Sequence, residues 1–185
     1  MATAEFAEHG FHEASVNRIL RESELSKGSF YYTFEDKEDL FVTLIREHIT
    51  AAFEALDAPL SPPSEGPPEG FWAWIEGLSM SLLEQLHGRV ELYALGHSFY
   101  ALQGRSERVE RLLAEGRGWT VEVLQAGQAL GAVRQDLPLE LLVDAAFSLG
   151  ISMDRWAARV GPMAPEREAK FMRGSLDLFR RLLAP

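Results

Sequence analysis

Cysteine is missing from all 185 residues, which removes disulfides and thiolate metal centres and agrees with a reducing compartment, the cytoplasm. Long apolar runs are missing as well. One of the richest, 141–147, is broken by Asp144, and none approaches the ~20 residues needed to cross a bilayer, so no membrane partner is expected. The opening residues carry Glu5 and Glu8 and lack the apolar centre of a secretory leader. Alternating β-branched stretches bounded by Asn-Gly or Gly-Gly turns are absent, and with them any strand signal. There is no His-Glu-x-x-His, no Gly-x-Ser-x-Gly and no phosphate-binding glycine loop. The five histidines are scattered without a metal-ligand spacing. No catalytic residue, metal or cofactor is therefore expected. Positive charge is scarce: 18 Lys and Arg stand against 28 Asp and Glu, a formal net charge of −10. That balance opposes nucleic acid adhering to the whole surface and leaves room only for a small local face.

What remains is helical throughout. With 46% hydrophobic residues the chain can bury a real core. Residues 2–9 end a first helix, with Gly10 placed to stop it. Ser15 caps a second, whose Val16, Ile19 and Leu20 share one face. Ser26 caps a short third helix to about Phe34, and Asp36 caps a fourth reaching about Leu56. The fourth carries a stripe from Leu40 and Phe41 to Ala52 and Phe53. The run PLSPPSEGPPEG at 59–70 resists helix formation, because proline lacks the N–H and clashes with the preceding turn. Further helical patterns follow at about 70–87, 89–103, 106–131, 138–160 and 165–183. The division expected is a helix-turn-helix domain with its connecting helix over 1–56, a linker over 57–70, and a second domain over 71–185.

Residues 14–34 hold the chemistry. They read as two short helices around a tight turn, with Leu25 plugging the corner and Val16, Ile19, Leu20 and Phe30 fixing the angle. The second of these helices offers Lys27, Gly28, Ser29, Tyr31, Tyr32 and Thr33: a cation, bare backbone and several hydroxyls. A helix set into a major groove needs such groups for base edges and phosphates, and its positive N-terminal end favours an anion.

The strings LSKGSFYYTF at 25–34, DKEDL at 36–40, FAEHGF at 6–11 and ASVNRIL at 14–20 together resemble the DNA-binding domain of the TetR family of bacterial repressors. The resemblance covers about the first 45 residues. It implies an all-α protein with an N-terminal three-helix helix-turn-helix module and a C-terminal helical domain for ligand binding and dimerisation. By position, Lys27, Gly28, Ser29 and Tyr32 match recognition-helix contacts, Ser15, Arg18 and Tyr31 match positions that approach phosphates, and Lys37 matches the start of the helix touching the backbone. The implied partner is double-stranded operator DNA. Three features depart from the family: Glu24 stands at the turn glycine, which predicts a strained positive φ; Thr33 replaces a common histidine; and the chain opens midway through the first helix, without the family's basic arm.

Residues 1–56 hold five cations and eleven carboxylates, a net of −6, whereas 14–34 hold three against two, a net of +1. The reading face is thus near neutral on a negative module, and non-specific affinity should be poor. In the C-terminal domain, the resemblance implies a cavity for a small, largely apolar effector, with Trp72, His87, Tyr93, His97, Tyr100, Trp119 and Phe147 as candidate lining. The Arg/Glu alternation over 105–117 reads as a solvated helix face. Segments 138–160 and 165–183 carry apolar bands wide enough to bury two faces, so a homodimer through these two helices is expected.

Overall fold

The computed structural model describes residues 1–56 and 59–185. The first two positions of the expected linker, Asp57 and Ala58, lie outside the described residues. Among the described residues there are nine helices and no strand: α1 (Ala2–Glu13), α2 (Val16–Ser23), α3 (Lys27–Thr33), α4 (Lys37–Glu54), α5 (Pro68–Leu86), α6 (Val90–Leu102), α7 (Glu107–Ala129), α8 (Leu139–Val160) and α9 (Pro165–Leu183). Eight were expected within one or two residues of these bounds, but α1 runs past its expected end. Gly10, with φ +69° and ψ 172°, kinks it, and one more turn follows to Glu13. The start of α5 is a further correction. It begins at Pro68, inside the stretch expected to resist helix, because a proline in the first turn gives up only an N–H that has no intrahelical partner.

The chain forms two compact units. The first gathers 1–51, 88–112 and 155–162, and the second gathers 52–87, 113–154 and 163–185. In the first unit Phe6 and Phe41 are fully buried and meet edge to face at 5.0 Å. α6 packs against α1, where the Phe11 N–H donates to the buried Ser98 Oγ at 3.3 Å. Gly10 sits at this approach, where an added Cβ would be in ordinary van der Waals contact with Ser98 Oγ at 3.7 Å.

The second unit is built on Phe71, Val123, Leu124, Ala132, Val133, Leu142, Val143, Ala146 and Leu183. Its tightest point is the end of α7, where the Gly127 carbonyl accepts the N–H groups of both Ala132 and Val133, at 2.8 and 3.0 Å. Gly131, at φ +70°, makes that reversal possible. The Arg134 N–H donates to the Leu183 carbonyl at 2.7 Å and fastens the end of α9 to the same corner.

Candidate nucleic-acid interface

Local hydrogen bonds fix the α2–α3 corner. Ser15 accepts the Arg18 N–H at 3.4 Å and caps α2. Ser26 accepts the Ser29 N–H at 3.1 Å and caps α3. Between them Glu24 takes φ +57° and ψ 21°, the only non-glycine positive φ among the described residues. The strain expected of a side chain in the family's glycine position is therefore present. Ile19, Leu20 and Phe30 are buried in the corner, and Val16 is half-buried. Leu25 does not plug it. Just after the left-handed residue its N–H closes onto the Leu20 carbonyl at 3.1 Å, and 52% of its surface is exposed; Phe30 occupies the space instead.

α3 has seven residues and buries one of them, Phe30. Lys27, Gly28, Ser29, Tyr31, Tyr32 and Thr33 all face solvent. Tyr32 is 93% exposed and Tyr31 61%, the latter with its ring edge-on to Phe30 at 5.0 Å. Two large aromatics left in water on so short a helix have no packing explanation, and a surface of hydroxyls, one ammonium and a bare glycine suits base edges and phosphates. Ser29 is partly engaged, its Oγ 3.0 Å from Ser26 Oγ.

Two of the expected phosphate contacts are committed elsewhere. Arg18 donates through Nε to both Glu5 oxygens, at 2.9 and 3.1 Å, and through Nη2 to Oε1 at 2.7 Å. Glu5 is buried and also accepts the Ser15 N–H at 2.7 Å. The Arg18 hydrogen bond holds the Glu5 carboxyl below its usual range against an opposing effect of burial, with the Ser15 N–H adding to the lowering. Lys37 donates to the carbonyls of His12 and Ala14, at 2.9 and 3.0 Å, and lies 4.9 Å from the centre of the Phe11 ring. It closes the C-terminus of α1. Glu5 was not among the residues singled out from sequence, and no spacing rule links it to Arg18.

A second omission is Arg108. The 105–117 alternation is not simply a solvated face: Arg108 pairs with Glu35, Asp36, Glu38 and Asp39, and Arg117 with Asp144 at 2.7 Å. Arg111 and Glu107, 3.9 Å apart, are an i,i+4 pair of the expected kind.

The seven residues proposed to line an effector cavity fall in different surroundings. Tyr93, His97 and Tyr100 belong to the first unit, and Trp72, His87, Trp119 and Phe147 to the second. His97 is exposed, so it is not an inward anchor. Tyr100 stacks with the Arg155 guanidinium at 5.8 Å, while Tyr93 is half-buried. His87 ends α5 and meets the buried Glu168 at 2.7 Å, Nδ1 to Oε2. Trp119, expected to line a cavity, is 37% exposed and leans on Trp74 at 6.4 Å. Phe147 packs against α7 where Gly116 lacks a side chain, its ring 3.5 Å from an added Cβ. Trp72 lines a groove of about 250 Å³ between α5 and α9 with Ile75, Leu176, Arg173 and Arg180.

Residues 1–44 match the family described as bacterial regulatory proteins, tetR family. Over 174 residues the chain is 25% identical to the transcriptional repressor KstR2 of Mycolicibacterium smegmatis, covering 90% of this chain and 80% of that one. It is 27% identical over 142 residues to the repressor AcnR of Corynebacterium diphtheriae, covering 74% and 66%. A solved structure from Shewanella sp. PV-4, assigned to the tetR family of transcription regulators, superposes with a TM-score of 0.66 at 25% identity, covering 100% of this chain and 94% of that one. With a capped helix-turn-helix at its head and nine helices among the described residues, the chain carries a match to the tetR family of bacterial regulatory proteins over residues 1–44 and is similar to transcriptional repressors of that kind beyond it.

Proposed function

We propose that the chain is a dimeric repressor that binds operator DNA through α3 and is released by a small, largely apolar effector. One observation carries the DNA reading: α3 buries Phe30 alone and presents Lys27, Gly28, Ser29, Tyr31 and Tyr32 to solvent. Backbone contacts then come from Tyr31 and Lys27, and base contacts from Ser29, in the first turn where a groove-bound helix reads, and from Tyr32 near the end of the helix. Ser15 and Arg18 sit at the start of α2, and Arg18 reaches a phosphate only by sharing its guanidinium with Glu5. The dimer reading is supported by Leu141 on α8 and Leu178 on α9, both more than half exposed on the second unit. A two-fold pair would place two recognition helices on successive half-sites.

The effector reading rests on the likeness to transcriptional repressors and on the aromatic residues of the two units, with Tyr93 and Tyr100 of the first and Trp72, Trp119 and Phe147 of the second as the residues to vary. An effector that releases DNA must bind DNA-bound dimer more weakly than free dimer, by the same factor.

The test is fluorescence anisotropy with duplexes from the chain's own promoter region. Lys27→Ala and Tyr31→Phe should each weaken binding by about 1–3 kcal/mol, the range of a well-placed contact. A wild-type chain that binds no such fragment more tightly than random duplex would instead support a family member that dimerises and binds ligand without reading DNA, a reading kept open by the net charge of −6 over 1–56.

A further inference from the structure

Four carboxylates stand within five residues directly after the recognition helix: Glu35, Asp36, Glu38 and Asp39. Thr33 and Glu35 are two residues apart, about 7 Å of chain at most, so this charge lies within one Debye length of whatever α3 touches. Lys37, the cation among them, has its ammonium on the carbonyls of His12 and Ala14. Part of the acidic turn is neutralised by backbone: Asp36 Oδ1 accepts the Asp39 N–H at 2.8 Å, and Asp39 Oδ2 accepts the Glu35 N–H at 3.0 Å, a reciprocal cap for α4. The rest converges on one guanidinium. Arg108 Nη2 pairs with Glu35 Oε2, Nη1 lies 3.2 Å from Asp36 Oδ2 and 3.8 Å from Glu38 Oε1, and Nε lies 3.8 Å from Asp39 Oδ1.

Resting on the DNA-binding reading above, we infer that Arg108 is a positioning residue for operator binding: from the start of α7 it holds the acidic α3–α4 turn in place and offsets its charge, so that α3 meets phosphates without four uncompensated carboxylates beside it. The side chain is built for this. Its exposure is 21%, and its neighbour Ser106, almost fully buried, accepts the Val109 N–H at 3.1 Å while donating to Glu38 Oε1 at 2.6 Å. The beginnings of α7 and α4 are thus joined twice. A planar guanidinium with five donors can serve several carboxylates at once, which an ammonium does less well. Glu35 and Asp36 are largely exposed, and exposed ion pairs add little to stability. The consequence of the cluster therefore falls on DNA affinity more than on folding.

The experiment uses the full chain, with anisotropy at fixed salt on its promoter fragment and on random duplex, and circular dichroism to confirm the fold. Arg108→Ala should lower operator affinity about tenfold, within the range of a single well-placed contact, and Arg108→Lys by about threefold or less, since the charge is kept. In a Glu35→Gln/Glu38→Gln background the Arg108→Ala loss should shrink to about threefold or less, because two of the four carboxylates it answers are gone. An equal loss in both backgrounds would overturn the inference, as would wild-type affinity in Arg108→Ala. Should Arg108→Ala fail to fold, the lysine variant and the Glu35→Gln/Glu38→Gln chain decide: the latter must bind at least as tightly as wild type. Where Lys27→Ala weakens binding and Arg108→Ala does not, DNA binding stands and the role of Arg108 falls. A wild-type chain that binds neither duplex even at low salt brings down both.

Discussion

Gly127 on α7 is the position where one added methyl group has the most calculable effect. A Cβ built there lies 2.5 Å from Val133 Cγ2 and 2.8 Å from Phe71 Cζ, against an ordinary carbon–carbon contact of about 3.5–4.0 Å. Both neighbours are 1% exposed. Val133 is branched at Cβ, and its N–H is tied to the Gly127 carbonyl at 3.0 Å, so it cannot slide away without opening the corner that fastens α9. Overpacking of this kind costs about 1–3 kcal/mol, and two contacts this close place Gly127→Ala toward the upper end. Replacing a helical glycine by alanine returns about 1 kcal/mol, leaving a net loss of about 1–2 kcal/mol. For a chain of this size that lowers Tm by about 2–8 °C. Gly118 on the same helix is the matched control, because an added Cβ there meets nothing within 4 Å. Gly118→Ala should gain up to about 1 kcal/mol. Urea and thermal unfolding of the two variants beside wild type measure the difference. If Gly127→Ala matches Gly118→Ala in stability, the corner is looser than described and the reasoning from these distances is wrong.

Replacing Leu178 and Leu182 together by Glu should yield monomers with native helix content, read by sedimentation; a variant that stays dimeric shows that α9 is not the interface. Glu5 sets an acid limit on the DNA-binding unit. Its folded carboxyl titrates below the ordinary value of 4.5, chiefly through the Arg18 hydrogen bond, so its contribution is present above that value and fades as pH falls through the lower folded one. Glu5→Gln should therefore be less stable than wild type at neutral pH and lose less on acidification, and parallel urea midpoints across that range would refute this role.

How much could be read from the chain divides along the reach of each interaction. Ser15, Ser26 and Asp36 announce three helix starts because a cap acts within three residues, and each bonds the N–H three positions on. Glu24 could be read as strained because the turn fixes its φ whatever side chain it carries. Leu25 could not be placed: which way a residue points after a left-handed turn depends on what fills the corner, and Phe30 fills it. Arg18 and Lys37 look like phosphate ligands from their positions, yet Glu5 lies thirteen residues before Arg18, and the carbonyls that hold Lys37 lie 23 and 25 residues before it. Arg108 is further still, 72 residues from Asp36, and within its own segment nothing separates it from Arg105 or Arg111. The aromatics proposed for the effector show the same limit. Their number says that a core exists, whereas their facing is set by packing, which turns Trp119 partly to solvent and His87 onto Glu168.

The commitment of these cations decides how the protein should respond to salt. Residues 1–56 contain Arg18, Arg21, Lys27, Lys37 and Arg46. Arg18 is held by a buried carboxylate and Lys37 by two carbonyls, while Arg21 and Lys27 are exposed beside the recognition corner. If each protomer of a dimer brings those two to phosphates, about four are neutralised, and log K should fall against log [salt] with a slope of about −4, from about −0.9 per phosphate. That is a shallow dependence for an operator-binding dimer, and it leaves more of the affinity to hydrogen bonds from Ser29, Tyr31 and Tyr32, which salt affects weakly. Equilibrium anisotropy over a range of potassium chloride measures the slope directly. A value near −7 would mean that Arg18 and Lys37 leave Glu5 and the end of α1 to reach DNA, and that the pairings of the free chain do not persist on the operator. With the shallow slope, Lys27→Ala should reduce its magnitude by about two in the dimer, and Tyr31→Phe should weaken binding without changing it.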